Sequence, residues 1–508
     1  MPPLWLGPIL SATAVAALVA AFVVGRRRPR TALCAILIFA VTLRLGAASR
    51  PGLNEWDERY HALVAKNLLE DPWSPRLYPI APLDYDYRDW HANHFWLHKP
   101  PLALWLIALS LKVFGVHELA VRLPSILLTS IATWLTYDIG RRLIGRRVGL
   151  TAALLHAANP MIGKLATGRI ATDHVDAIFS SLVTLGVWAI VVLASRGRFL
   201  RGLSVGVVAG LAILTKWATG LLLPVLLLIG SQRRRATSKS RSGLTIAFLP
   251  ALLAAAIAIG IALPWRLHTQ SRFPREAAHE SAYNWEHIWT AAEGHVGGPL
   301  FHLIHQPRFF GELIWLPLAW HALALLRRPR SPRGGWLLLA WWLIPYLAFS
   351  LVATKMKGYV APAAPAICLI AAHHWWWLHN KTDRQLRRTF APLRALLLIA
   401  LLLLPLKQAA SLLEIDWLTP DAAGRRAAII AVVRQCEPRP TALFNMPLPI
   451  EAMFHARSPL IAYPHAPSDS DLGRVRAAGF EPAILDRPGE PPTRPDLAGV
   501  RRVRVEPR

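Results

Sequence analysis

The sequence predicts an all-α polytopic membrane bundle of about twelve transmembrane helices, with interfacial helices in its first outer loop and a small α/β domain at its C-terminal end. Three observations carry this expectation. Apolar runs of near-spanning length recur from residue 4 almost to residue 408 of the 508. The chain is 54% hydrophobic and 17% charged, where a soluble domain carries roughly a quarter charged residues. Lys and Arg fall in short clusters between the apolar runs, where membrane topology places them. The net charge of +27 is therefore read as topology, and nucleic acid is excluded as a partner. Cys34 and Cys368 fall in apolar runs and Cys436 near the end, so no disulfide framework is expected.

Leu4–Val24 is followed, not preceded, by the basic run Arg26–Arg30, so it reads as an uncleaved anchor with its N-terminus outside the cytoplasm. Residues 1–30 form this extra anchor, 31–408 the bundle with outer loops 49–117 and 266–309, and 409–508 the soluble α/β domain on the outer face. Later basic linkers are Arg141–Arg147, Arg196–Arg201, Arg233–Arg241, Arg327–Arg333 and Lys381–Arg388. All six clusters share the cytoplasmic side if the spans are 4–24, 31–48, 118–140, 148–165, 174–195, 202–215, 217–231, 243–265, 310–326, 335–353, 359–377 and 391–408. The outer face then receives the 49–117 loop, the turn at Arg169–Asp173, the 266–309 loop, the turn Thr354–Tyr359 and the tail.

These outer segments hold most of the unusual polar residues. In NEWDERYH (Asn54–His61) a helical pattern begins at Asp57, with Tyr60, Leu63, Val64, Leu68 and Leu69 at three- and four-residue spacing. DPWSPRLYP (Asp71–Pro79) breaks it. Leu102–Phe114 is short for a span and reads as an interfacial or re-entrant helix, its Trp105 suited to headgroup depth. In the tail, Asp421–Cys436 and the stretch near Asp471–Ala478 look helical, while TALFNM, PLIAYP, PAILD and VRRVRV look like short strands. No internal repeat or nucleotide-binding glycine motif is present in the sequence, which argues against a nucleotide-sugar donor.

DERY, HKPPLALWLIALSLKVFG, ELAVRLPSIL, RRLIGRRVGLTAALLHAANP and GRIATDHVDAIF, followed in order by GLAILTKWATGLLLP, LPW, GHVGGP and KMKGYVAPAAPAI, resemble the GT-C membrane glycosyltransferases. The resemblance covers residues 31–380 and points to the branch of protein O-mannosyltransferases and the aminoarabinose transferase of lipid A modification. It implies a polyprenyl-phosphate-linked sugar donor, a lipid A or other envelope-glycan acceptor on the periplasmic face of a bacterial inner membrane, inversion at the anomeric carbon, and a monomeric enzyme. A protein O-mannosyltransferase-like acceptor is the alternative within the family. A lipid-linked-sugar flippase or transporter is the alternative outside it, and would place its key charges near mid-membrane in paired halves.

The resemblance makes Asp57 the base or acceptor-orienting carboxylate, with N-capping of the next helix as its other use. Glu58, Arg59 and Tyr60 join it as substrate-binding candidates. Asp173 matches the family's acid at the outer end of a span. It either meets substrate or pairs with Arg169, and Asp176 one turn on is the competing acid. Lys99, Lys357 and Tyr359 are assigned to phosphate, Lys216 to the same task in reserve, and His295 to substrate. Lys355 and Lys357 could instead snorkel at the interface. His98 stands where the aminoarabinose-transferase branch commonly has Glu, so no carboxylate role carries over there. No cofactor is required. A divalent metal ion held by His98 and His295, with His91 and His94 nearby in the first loop, is the one left open.

Overall fold

A computed structural model describes residues 6–25, 28–231, 242–328, 333–385, 396, 403–404, 407, 409–410, 412, 420–487, 493–497 and 499–504. The expected span 391–408 lies almost wholly outside the described residues. The chain divides into two compact units. The first is Met1–Ser49, Ser125–His268 and Ala282–Glu414; the second is Arg50–Pro124, Thr269–Ser281 and Ile415–Arg508.

The first unit is helical. α1 (Leu6–Gly25) and α2 (Pro29–Ala48) pack together through Ala14, Leu18, Ala35, Phe39 and Leu43, with Ala153, Leu154 and Ala157 of α6 (Arg146–Ala157) closing the cluster. Small residues let such helices approach closely. At the contact of α5 (Glu118–Leu143) with α6, a Cβ on Gly140 would lie 2.8 Å from Gly149 Cα. α7 (Pro160–Ala166), α8 (Asp173–Val192), α9 (Arg198–Lys216), α10 (Leu222–Ser231) and α11 (Ser242–Arg272) follow.

Among the described residues six helices are long and apolar enough to cross a membrane, or seven with one bent pair, by length and composition. Several expected runs are interrupted for local reasons. The 148–165 run breaks where the Asn159 side chain accepts the Ile162 N–H at 3.1 Å and Pro160 opens α7. The 202–215 and 217–231 runs meet at Trp217, which has φ +49 and leads into a 3₁₀ turn. The 310–326 run bends by 115° between α13 (Phe301–Phe310) and the segment Glu312–Arg327, at Gly311 with φ +92. That segment becomes α14 (Trp315–Arg327). α15 (Arg333–Leu351), a 3₁₀ turn over Lys357–Ala363 and α16 (Ala364–Gln385) complete the unit.

The second unit combines the first loop with the tail. α3 (Asp57–Asn67) and α4 (Pro101–Phe114) flank an irregular stretch whose one isolated bridge pairs Arg76 with Phe95. α12 (Pro274–Trp289) contributes its start. α17 (Pro420–Cys436), α18 (Pro449–His455) and α19 (Asp469–Ala477) surround a four-stranded parallel sheet. Its order is β2 (Leu460–Ala462), β1 (Thr441–Phe444), β3 (Glu481–Asp486), β4 (Arg501–Arg504), with Thr441 opposite both Leu460 and Glu481 and Ala483 opposite Arg501. The segments TALFNM, PLIAYP, PAILD and VRRVRV of the tail contain these four strands. Each cysteine, Cys34, Cys368 and Cys436, is a free thiol.

Candidate active site

The sequence places its acids where helices begin, and the structure shows what each one does there. In the second unit Trp56 occupies the cap position of α3 and offers no side-chain hydrogen bond; Asp57 is the first helical residue. The Asp57 carboxylate is therefore not spent as the cap. It lies 3.9 Å from Lys99 Nζ, with side chains 9% and 19% exposed. A carboxylate in the first turn is also favoured by the helix dipole. Lys99 is brought there by Pro100 and Pro101, which start α4.

Glu58 turns into the interior. It holds Arg122 through two hydrogen bonds of 2.6 and 3.0 Å and accepts the Asn54 N–H at 2.6 Å. Arg122 also donates to the carbonyls of Arg50 and Gly52, each at 2.7 Å. This network fixes the chain segment entering α3 beside Asp57. Arg59 lies 5.1 Å from the Tyr60 ring centroid. Tyr60 meets the Trp90 ring edge-on at 4.9 Å, and burial pushes its hydroxyl pKa up.

His98 stacks flat on Trp90, with ring centroids 4.5 Å apart and 5° between planes, and its Nδ1 lies 3.3 Å from Glu280 Oε2. Burial lowers its pKa, and the neighbouring Lys99 charge adds to the effect against the pull of Glu280. His98 thus faces a carboxylate supplied by α12. His295 gives its backbone carbonyl to the Lys355 N–H at 2.9 Å. Among the described residues no group of three or more His, Cys, Asp or Glu is arranged to hold a metal ion.

In the first unit a second constellation surrounds the start of α8. Asp173 is its first residue and is buried; Oδ1 accepts the His174 N–H. Arg169 donates to the Leu412 carbonyl at 2.6 Å. Asp176, one turn on, is fully buried and accepts hydrogen bonds from Lys216 Nζ and the Thr172 hydroxyl. Lys216 Nζ also sits 4.3 Å from the Tyr359 ring centroid. Thr172 has φ +69, an outlier for a β-branched residue and a mark of a site held by its surroundings. A Cβ on Gly358 would fall 2.6 Å from Thr172 Oγ1 and 2.7 Å from Asp176 Oδ2, so only glycine fits there.

Lys355 and Lys357 separate in role. Lys355 is buried and donates to the carbonyls of Phe349 at 2.9 Å and Ser350 at 2.8 Å, closing the C-terminal end of α15. Lys357 begins the 3₁₀ turn and is half-buried, so its ammonium retains access to a ligand. The Asp176–Lys216 pair and the His98–Glu280 pair are the features the sequence assigns least well. Their members are 40 and 182 residues apart, and no local pattern joins them.

Buried acid–base pairs on a helical membrane scaffold are the features that comparison with known proteins sets in context. Residues 98–265 match the family described as dolichyl-phosphate-mannose-protein mannosyltransferase. The fold is that of the GT-C glycosyltransferases. It aligns with ArnT from Cupriavidus metallidurans bound to undecaprenyl phosphate at a TM-score of 0.62 and 17% identity over 87% of each chain. Alignment with the oligosaccharyltransferase AglB from Archaeoglobus fulgidus gives 0.53 and 13%, over 85% of this chain and 64% of that one.

The chain is related in sequence to undecaprenyl phosphate-α-4-amino-4-deoxy-L-arabinose arabinosyl transferases. It is 31% identical to transferase 1 of Pseudomonas fluorescens Pf0-1 over 59% of this chain and 52% of that one. For the enzyme of Pseudomonas aeruginosa UCBPP-PA14 the values are 28%, 56% and 52%. The chain spans about half the length of the curated relatives it matches. It is a multi-pass membrane protein with a GT-C fold, similar in sequence to the aminoarabinose transferases and, over residues 98–265, to the protein mannosyltransferase family.

Proposed function

We propose that this chain is an inverting glycosyltransferase that moves a sugar from a polyprenyl-phosphate donor to an envelope glycan, of which lipid A is the first to test. The observation that carries the reading is the Asp57–Lys99 pair, a carboxylate and an ammonium 3.9 Å apart with partial access from outside. In this reaction the acceptor oxygen attacks the anomeric carbon as its proton passes to Asp57. The bond from that carbon to the phosphate oxygen breaks, and the electron pair leaves with the polyprenyl phosphate. The relatives' names supply the donor class: the arabinosyl transferases are named for undecaprenyl phosphate, and the solved ArnT holds it.

Lys357 and Tyr359 serve the phosphate, and Lys216 holds Asp176 and Tyr359 in place for it. Asp173 stays a substrate-facing candidate. The architecture that goes with this reading is a monomer in the bacterial inner membrane. Residues 1–30 are its anchor, 31–408 a catalytic domain whose spans bring the total to about twelve and which opens to the periplasm, and 409–508 a soluble domain on that face.

The test is transfer in proteoliposomes holding a polyprenyl-phosphate aminopentose and lipid A, with product read by mass spectrometry. Replacing Asp57 by Asn is expected to lower transfer by about 100-fold or more with folding intact. Transfer by D57N at the wild-type rate would sink the assignment of the base. Transfer only to a peptide hydroxyl would replace the glycan acceptor by protein.

A further inference from the structure

A cavity lies within the first unit, and none of the candidate active-site residues lines it. It has a volume of about 350 Å³ and is lined by Trp320, Arg327, Arg328, His373, His374 and Trp377 among others. α14 and the residue following it supply the arginines; α16 supplies the histidines. No carboxylate belongs to the described residues of the wall. α14 ends at Arg327, the first residue of the basic stretch Arg327–Arg333 in the sequence. The Trp320 and Trp377 rings lie 5.7 Å apart at 36°.

The wall is preformed by a hydrogen-bond relay. His321 Nε2 lies 3.1 Å from the Gly335 carbonyl, and His321 Nδ1 lies 3.2 Å from His374 Nε2. A carbonyl only accepts, so Nε2 of His321 carries the proton. Its Nδ1 is then the acceptor, and His374 Nε2 must donate. This fixes the ring of His374 and ties α14, α15 and α16 together at the cavity.

Two guanidinium groups suit phosphate, and paired indoles suit the membrane interface. Free phosphate has nothing to set against the indoles and leucine; a diacyl lipid has. We propose that this cavity is a binding site for the phosphate headgroup of an anionic glycerophospholipid, with Arg327 and Arg328 on the phosphodiester and the Trp320–Trp377 pair against the glycerol and upper acyl chains. Basic pockets between membrane helices recognise lipid headgroups in this way. The site is separate from sugar transfer and stands whether or not that reading holds.

The experiment is native mass spectrometry of the full chain in detergent, titrated with phosphatidylglycerol, with phosphatidylcholine of the same acyl chains, and with glycerol phosphate as competitor. Phosphatidylglycerol should be retained in preference. Arg327→Ala and Arg328→Ala should each weaken it about fivefold. The double Arg→Lys variant, which keeps the charge, should retain the preference. If the double alanine variant does not fold, the Arg→Gln pair reads the same loss. Equal retention of the two lipids, or retention indifferent to the loss of both arginines, overturns the site. Competition by glycerol phosphate at the lipid's own concentration overturns the lipid as occupant.

Discussion

Asp176 shows how much depends on single side chains. It is fully buried, and its charge is tolerated because Lys216 and Thr172 meet it. Replacing Lys216 by Ala leaves that charge uncompensated and is expected to cost about 3–5 kcal/mol. The melting midpoint in detergent reads this loss. A double variant, Lys216→Met with Asp176→Asn, should regain most of the stability without regaining transfer. Recovery of both would leave the pair a purely structural role.

Two titrating groups on α18 oppose each other. Burial raises Glu451 from 4.5 to about 7, the charges of Arg59 and Arg425 opposing it, and burial lowers His455 from 6.5 to about 4. The folded state holds the extra proton of Glu451 between pH 4.5 and 7, so that group stabilises increasingly as pH falls from 7 to 4.5. His455 is neutral when folded and charged when unfolded between pH 6.5 and 4, so its contribution is lost as pH falls through that window. The two nearly cancel between pH 6.5 and 4.5. Glu451→Gln should expose the histidine as a midpoint that falls with acid, and His455→Gln the carboxyl as one that rises. Each effect is bounded at about 3 kcal/mol.

At the scale of elements, α18 is held from outside itself. Lys66 of α3 donates to the carbonyls of Met453, Phe454 and Ala456 at 2.7, 3.2 and 2.6 Å, and burial lowers its pKa to about 8. Lys66→Met removes three charge-assisted bonds. We expect hydrogen exchange in α18 to quicken about 30-fold, for a loss of about 2 kcal/mol. Element identity was largely legible in the sequence. Three of the strands could be read as short apolar runs between turn residues and the fourth from the valines of VRRVRV, and α3 because its apolar spacing begins at Asp57. Breaks were less legible. Asn159–Pro160 is a standard helix-start signal hidden inside an apolar run, and the Gly311 bend depends on a backbone conformation that hydropathy does not register.

For the whole molecule, hydropathy and basic clusters read the class of fold but not its span count, since composition marks greasy segments without saying which stay straight. The candidate site divided in the same way. Asp57 and Lys99 stand in local motifs and could be named. Glu280 could not, because its partner lies 182 residues away and only folding joins them. The proposed topology is open to labelling, with Cys34, Cys368 and Cys436 first replaced. A cysteine at position 86 should react with an impermeant maleimide on intact spheroplasts, and one at position 145 only after permeabilisation. The reverse pattern would invert the assignment.

Within the second unit, loop and tail are joined by Arg425 to Glu55, Arg426 to Glu118 and Arg474 to Asp84. Those joins, set beside the free thiol of Cys436, mean that loop and tail are fastened by charge and not by sulfur. Their assembly needs no oxidant and is indifferent to reductant. The ionic strength of the surroundings is the variable it answers to, most of all at the exposed pairs, where screening is strongest.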